Sequence, residues 1–398
     1  MKKILIISPR PSHPYNAGNR ARIVGLASQL QAMGYDVYFL YARHDPNEDD
    51  SLMRNYWRDK YFVVTTPVST MQRLQSKLRA LHRRLPLPGS LMSIVQNRAL
   101  DSLYDDRISR RVRELTAAIE FDVVIVVYVF MSKALEAFDN RPLKIIDTLD
   151  VFGNRHELYA KHGTQGGWFS TSAAQEARGL SRADVVVAIT EDDRAYFEGL
   201  VERTVITVGH IAMVDDRIGS GVGNNTILFV GSSNSINVQG IRYFIDLILP
   251  LVHEEVPDAR LLVAGPVCEA VRPSRAVECL GFVEDLAPVY DRSDIVINPM
   301  PFGTGLSIKA IEALAHAKPV VATSAGFRGL HVYASSACLI ADSASEFADA
   351  VIRLLSDSEL RIEIGHAAIA GAKRWNEDNL SALKHILDLS RDFTGQDE

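Results

Sequence analysis

The chain has 398 residues, of which 47% are hydrophobic and 23% charged. This is the balance of a soluble globular protein, at a length that suits two domains. A net charge of -6 gives no overall basic surface, so nucleic acid is not an expected partner. No apolar run approaches the ~20 residues of a membrane span.

The first apolar run, residues 4–8, stops at Ser8 and is followed by Arg10 and Pro11. That suits a buried first strand better than a signal peptide, and the protein is expected in the cytoplasm. A glycine-bearing loop (9–19), a helix (20–33) closed by Gly34 and a second strand (36–41) follow.

Residues 71–115 carry Arg73, Lys77, Arg79, Arg83, Arg84, Arg98, Arg107, Arg110, Arg111 and Arg113, beside an apolar stripe of Leu74, Leu78, Leu81 and Leu85. This basic amphipathic stretch is either a solvated helix face or a peripheral contact with an anionic membrane surface or a lipid-diphosphate acceptor. Further strands are expected at 123–127, 144–146 and 185–189. The segment ending in Asp147, Thr148, Leu149 and Asp150 closes a strand at the carboxyl edge, where α/β sheets place ligands. Asp150 is a candidate for orienting or deprotonating an acceptor hydroxyl, with capping or salt bridging as the alternative; His156 lies nearby. Thr190, followed by Glu191, Asp192 and Asp193, reads as a helix cap.

Asp, Gly and Asn accumulate over 215–225 and mark a domain break. Beyond it the first pattern returns, with a strand at 226–230, a loop at 231–237, a helix at 238–256 broken by Pro257, and a strand at 260–264. Strands at 295–298, 319–322 and 338–341 complete the set. Apolar β-branched runs alternating with helices indicate parallel strands buried on both faces. The expected fold class is therefore α/β, with two doubly wound Rossmann-like domains at 1–215 and 216–374 and a closing segment at 375–398. The cysteines Cys268, Cys279 and Cys338 lack CxxC or zinc-type spacing and are expected as reduced thiols. No metal cluster is evident, and no metal or cofactor is expected.

Residues 298–323 read as strand, glycine loop, helix, turn and strand. Gly303 and Gly305 let the backbone approach a ligand closely. The following helix, expected from about Leu306, offers unpartnered N–H groups with partial positive charge, which suit a diphosphate. Lys309 adds charge on the first turn, and the Glu312 carboxylate one turn on can accept from a ribose diol.

Glu312, its following Ala-Leu-Ala and the exit Lys318-Pro319-Val320-Val321 resemble the signature of glycosyltransferase family 4, which has the two-domain GT-B fold with its domains facing across a cleft. Phe229-Val230-Gly231, Gly281-Phe282-Val283, the turn at Gly18 and Arg20, and Trp375 before the last helix extend the resemblance over most of the chain. It implies retaining transfer of a hexose-type sugar from a nucleotide-diphosphate donor, UDP- or GDP-type, to a glycan, lipid-linked or small-molecule acceptor, as in cell-surface polysaccharide or glycoconjugate synthesis. By the same resemblance Glu312 holds the ribose and the Phe282–Val283 turn meets the base. Gly231, Ser232, Gly303, Thr304, Gly305, Leu306, Ser307 and Lys309 surround the sugar and phosphates. Gly18, Asp150 and Lys309 are the catalytic candidates, and the final helix (377–388) returns to the first domain.

Two positions depart from that pattern. Thr304 stands where the family has a first glutamate, and Ser232, Ser233 and Asn234 stand where it has an Arg–Lys pair. Lys309 is then the leading candidate for neutralising the pyrophosphate. The alternatives are an epimerase of the same fold and a non-catalytic sugar-nucleotide-binding or scaffold protein.

Overall fold

The computed structural model describes residues 2–15, 17–43, 47–66, 98–162, 169–215, 217, 223–303 and 305–392. Two compact units emerge. One holds Met1–His13, Ala27–Val208 and Ala382–Glu398; the other holds Pro14–Leu26 and Gly209–Ser381.

The first unit is built on seven parallel strands in the order β3-β2-β1-β4-β5-β6-β7. They are β1 Lys3–Ser8, β2 Asp36–Arg43, β3 Tyr61–Thr65, β4 Val123–Val127, β5 Leu143–Asp147, β6 Val185–Ala188 and β7 Thr204–Thr207. The second unit has six parallel strands in the order β10-β9-β8-β11-β12-β13. These are β8 Thr226–Val230, β9 Arg260–Ala264, β10 Val277–Gly281, β11 Ile295–Asn298, β12 Val320–Ala322 and β13 Cys338–Ile340. Central strands such as β4 and β11 are buried at every residue, as helices on both faces require. The expected class of two doubly wound α/β sheets is the one observed.

The strands that sequence pattern overlooks are β3, β7 and β10, and all three lie at sheet edges. An edge strand is covered less, so its residues need not form a continuous apolar run; β7 exposes Thr204 and buries only Val205. The expected 238–256 helix starts earlier and is interrupted. It runs as helix Ser235–Tyr243, a π-turn Phe244–Ile248 and helix Leu249–Glu255. Pro250 near the start of the last piece cannot donate a backbone hydrogen bond, and the Leu249 N–H instead reaches back to Phe244 O. The first helix begins at Gly18 and not Arg20, and the last is one 35-residue helix, Ser358–Asp392.

Residues 71–97 of the basic stretch lie outside the described residues. Its remainder includes helix Asp106–Thr116, which buries Ile108, Val112 and Leu115. Its basic face is held by local ion pairs, Arg107 with Asp105 at 3.1 Å and Arg111 with Glu114 at 2.8 Å. Among the described residues no helix is long and apolar enough to cross a membrane.

Candidate functional site

The second unit gathers most of the singled-out residues around helix Ile308–Ala315, which follows β11. Asn298 ends that strand fully buried, and its amide donates to Ser307 Oγ at 2.7 Å, which fixes the residue before the helix. Gly305 between them has φ 71°, a conformation that glycine adopts without cost. A Cβ at Gly303 would meet nothing within 4 Å, so open space lies beside that backbone. Leu306 packs against the core of the unit. Thr304 lies outside the described residues. The Ser307 side chain makes no cap and the first turn carries no acid, while Ile308 N and Ala310 N bond Leu306 O and Ser307 O at 3.1 and 3.0 Å.

Gly18 comes to the same place from the far end of the chain. A Cβ built on it would lie 3.3 Å from Ile308 Cδ1, one residue before Lys309. Gly231 and Ser232 follow β8. A Cβ on Gly231 would press on the Phe229 ring at 2.9 Å, and one on Gly265 (φ 99°) would fall 2.4 Å from Gly231 O, so two glycines permit this close approach. Ser232 Oγ accepts from both Asn234 and Asn237 at 3.2 Å.

Lys309 does not reach out as a free charge. Its Nζ donates to Asn237 Oδ1 at 2.6 Å, lies 3.8 Å from Met300 Sδ and sits 4.6 Å from the centre of the Phe229 ring. Its partners are an amide oxygen, a thioether and a ring face, with no carboxylate among the described residues. Burial pushes its pKa down to about 7. A buried cation surrounded by neutral acceptors is poised for an anion, which would restore its charge.

Glu312 lies one turn further along the helix. Loss of surrounding water pushes its carboxyl up to about 7, although the side chain keeps 27% exposure. Its neighbours are His210, with Nε2 3.7 Å from Oε1, and Tyr290. The Tyr290 hydroxyl is buried without a hydrogen-bond partner among the described residues, and burial and the Glu312 charge push its pKa well up.

Gly281 (φ 66°) ends β10 at a register shift, and Phe282 follows with 52% exposure; Val283 packs against the core. A broad aromatic face is thus left open at the turn that the family resemblance associates with the base.

Asp150 belongs to the first unit. Its carboxylate pairs with Arg155 at 2.8 Å and accepts from Val151 N at 3.0 Å. The Arg155 guanidinium also stands over the Phe152 and Tyr159 rings. The loop is held from below by Glu176, which accepts from the backbone of Phe152 and Gly153 at 2.7 Å and from Tyr196 Oη at 3.0 Å. His156 is buried, with Nδ1 2.9 Å from Ser170 Oγ. Thr190 accepts from Asp193 N at 3.1 Å, as a cap does.

Sequence pattern misses Asn237, Phe229 and His210 as site neighbours. Asn237 is legible only in part, through the Asn234 cap that opens its helix; nothing local to His210 signals its place beside Glu312. Among the described residues there is no group of three His, Cys, Asp or Glu side chains that could hold a metal, and the three cysteines are free.

The chain matches two protein-family models, "Glycosyl transferase 4-like domain" over residues 17–209 and "Glycosyl transferases group 1" over residues 224–357. An uncharacterized 44.6 kDa protein in the cps region of Klebsiella pneumoniae is 29% identical over 142 residues, 32% of this chain and 37% of that protein. A D-inositol 3-phosphate glycosyltransferase of Corynebacterium jeikeium is 35% identical over 106 residues, 26% of this chain and 25% of that one. The matches thus span 37% and 25% of these relatives' lengths. Solved structures agree over nearly the whole chain. Sucrose-phosphate synthase of Thermosynechococcus elongatus superposes with a TM-score of 0.69 at 15% identity, covering 98% of this chain and 99% of that one. HepE of Anabaena, solved with UDP and glucose, gives 0.62 at 13% identity over the same shares, 98% and 99%. A TarM variant of S. aureus, solved with UDP, gives 0.67 at 12% identity over 98% and 100%. With both family models matched in order along two parallel sheets, the chain belongs to the group 1, family 4-like glycosyltransferases and has their GT-B fold.

Proposed function

We propose that the protein transfers a hexose-type sugar, with retention of configuration, from a nucleotide-diphosphate donor to a hydroxyl of a glycan, lipid-linked or small-molecule acceptor, in cell-surface polysaccharide or glycoconjugate synthesis. The observation that carries the donor half is Lys309, a cation buried among neutral partners on the first turn of a helix entered through glycines. The leaving diphosphate gains negative charge as the bond from the anomeric carbon to its oxygen breaks. Lys309 and the helix amides are pre-set to stabilise that charge. In the family pattern a basic pair follows the β8 strand; here Lys309 brings its charge to the same loop from another element, through Asn237.

Glu312 then holds the ribose diol, and the Phe282–Val283 turn meets the base. Gly18 lets the start of its helix approach Ile308 closely, beside the phosphate. Asp150 orients the acceptor hydroxyl, with Arg155 fixing the carboxylate. HepE and TarM, both solved with UDP, favour a uridine donor. The Klebsiella relative in a cps region favours a polysaccharide acceptor.

The test is release of nucleoside diphosphate from UDP-, GDP- and dTDP-hexoses, with and without capsular-type oligosaccharide acceptors. Acceptor-stimulated release from one donor, with an α-anomeric product from an α-linked donor, is expected. Tight binding of a sugar nucleotide with no release under any acceptor would favour a non-catalytic binding protein and contradict the proposal.

A further inference from the structure

The segment leaving β7 is pinned more firmly than a connection needs to be. Arg22, itself buried, donates to Gly209 O. Asn379 accepts from Gly209 N, Trp375 Nε1 donates to His210 O at 2.7 Å, and Asn376 donates to Ala212 O at 2.7 Å while accepting from Ala212 N at 3.2 Å. Four side chains from two helices thereby fix one four-residue stretch, and the side chain held at its centre is His210.

His210 is 5% exposed and its Nε2 faces Glu312 Oε1 at 3.7 Å. The other ring nitrogen, Nδ1, is buried without a partner among the described residues. A buried N–H left unpaired is costlier and rarer than an unpaired lone pair, so the proton belongs on Nε2, toward the carboxylate. Burial and the neighbouring Arg22 charge push the ring's pKa down to about 3, which keeps it neutral at ordinary pH. At 3.7 Å the two atoms stand beyond hydrogen-bond distance, so the bond forms only when they draw closer.

We propose that His210 is a positioning residue for Glu312: its neutral Nε2–H holds one carboxylate oxygen so that the remaining lone pairs meet the two ribose hydroxyls. The assignment rests on the reading of Glu312 as the ribose-holding group. It assigns His210 a role in telling ribonucleotides from nucleotides without the diol, because that discrimination depends on a fixed carboxylate direction.

Calorimetric titration with UDP and with 2′,3′-dideoxy-UDP tests it. His210→Phe keeps a ring but loses the donor; it is expected to weaken UDP by roughly tenfold, about 1.4 kcal/mol, and to leave dideoxy-UDP unchanged. His210→Gln, which returns an N–H near the same place, is expected to recover most of the loss. Equal weakening of both nucleotides, or none, would overturn the role. Glu312→Ala separates the two failures: if it leaves UDP affinity unchanged, the ribose reading itself has failed; if it weakens UDP while His210→Phe does not, only the positioning role has failed. Should the variants not fold, nitrogen NMR of the wild-type ring decides, since a proton on Nδ1 contradicts the proposal and one on Nε2 supports it.

Discussion

Lys309 Nζ lies 2.6 Å from Asn237 Oδ1, and this single bond links the helix after the glycine loop to the first turn of the helix after β8. Asn237 is itself anchored, its side-chain amide donating to Ser232 O at 3.0 Å and its backbone N–H donating to the Asn234 cap oxygen at 2.8 Å. The cation is therefore held by a neutral hydrogen-bonded network at the loop after β8, and its charge depends on its surroundings there.

Replacing Lys309 should separate catalysis from stability. Lys309→Met is expected to lower kcat by about 10²–10³, the range for losing one preorganised group that stabilises a developing oxyanion. Without nucleotide the same change acts on stability through the proton. The folded pKa of about 7 lies below the ordinary 10.5, so between these values the unfolded chain binds more protons and the wild type gains stability as pH rises. The melting-temperature advantage of the Met variant over wild type should thus be greatest at and below neutral pH and shrink toward about pH 10. A constant difference across that range would mean that the lysine is not desolvated when the protein is folded.

Glu312 predicts a pH limb of opposite origin. Its carboxyl is raised to about 7 by burial, and only the charged form accepts from both ribose hydroxyls. Affinity for UDP should fall as pH drops through about 7, and Glu312→Gln should lose that limb while binding weakly at all pH values. Calorimetry across this range checks it; an acid limb retained in the Gln variant would assign the proton elsewhere.

Ala317 carries a strained backbone that can be relieved. Helix Ile308–Ala315 closes with Lys318 N bonding Ala313 O and Ala317 N bonding Leu314 O, both at 3.0 Å, a Schellman ending that places Ala317 at φ 56°. Glycine is the residue that adopts this conformation without a Cβ clash. Ala317→Gly is expected to stabilise the protein by about 1 kcal/mol, less than the full αL cost because glycine also gains freedom in the unfolded chain. Urea denaturation measures it, and a loss of stability would mean that the Ala317 methyl packing outweighs the strain.

Gly265 predicts the reverse. With φ 99° and a Cβ position 2.4 Å from Gly231 O, Gly265→Ala must displace the loop beside Ser232. A loss of about 2–4 kcal/mol of stability by urea denaturation is expected, together with weaker UDP binding by calorimetry.

Much of the fold is legible in the amino-acid sequence, and the exceptions have physical causes. Buried strands such as β4 and β11 announce themselves because both faces need apolar residues; the edges β3, β7 and β10 do not, because one side is freer. Glu312 and the glycines around Lys309 stand out by local spacing. The Lys309–Asn237 bond joins residues 72 apart, and the His210–Glu312 approach likewise spans distant segments, so neither leaves a periodic trace. Lys309 reads from sequence as a full positive charge, and only its burial beside Phe229 and Asn237 reveals a pKa pushed down to about 7, where the group is about half protonated at neutral pH.

The most direct test of the whole account is a calorimetric titration of UDP and GDP against wild type, Lys309→Met and Glu312→Ala. One nucleoside diphosphate should bind the wild type and bind each variant at least about tenfold more weakly, the equivalent of 1.4 kcal/mol. Undiminished binding to both variants would contradict the claim that the glycine-entered helix of the second unit holds the diphosphate and ribose.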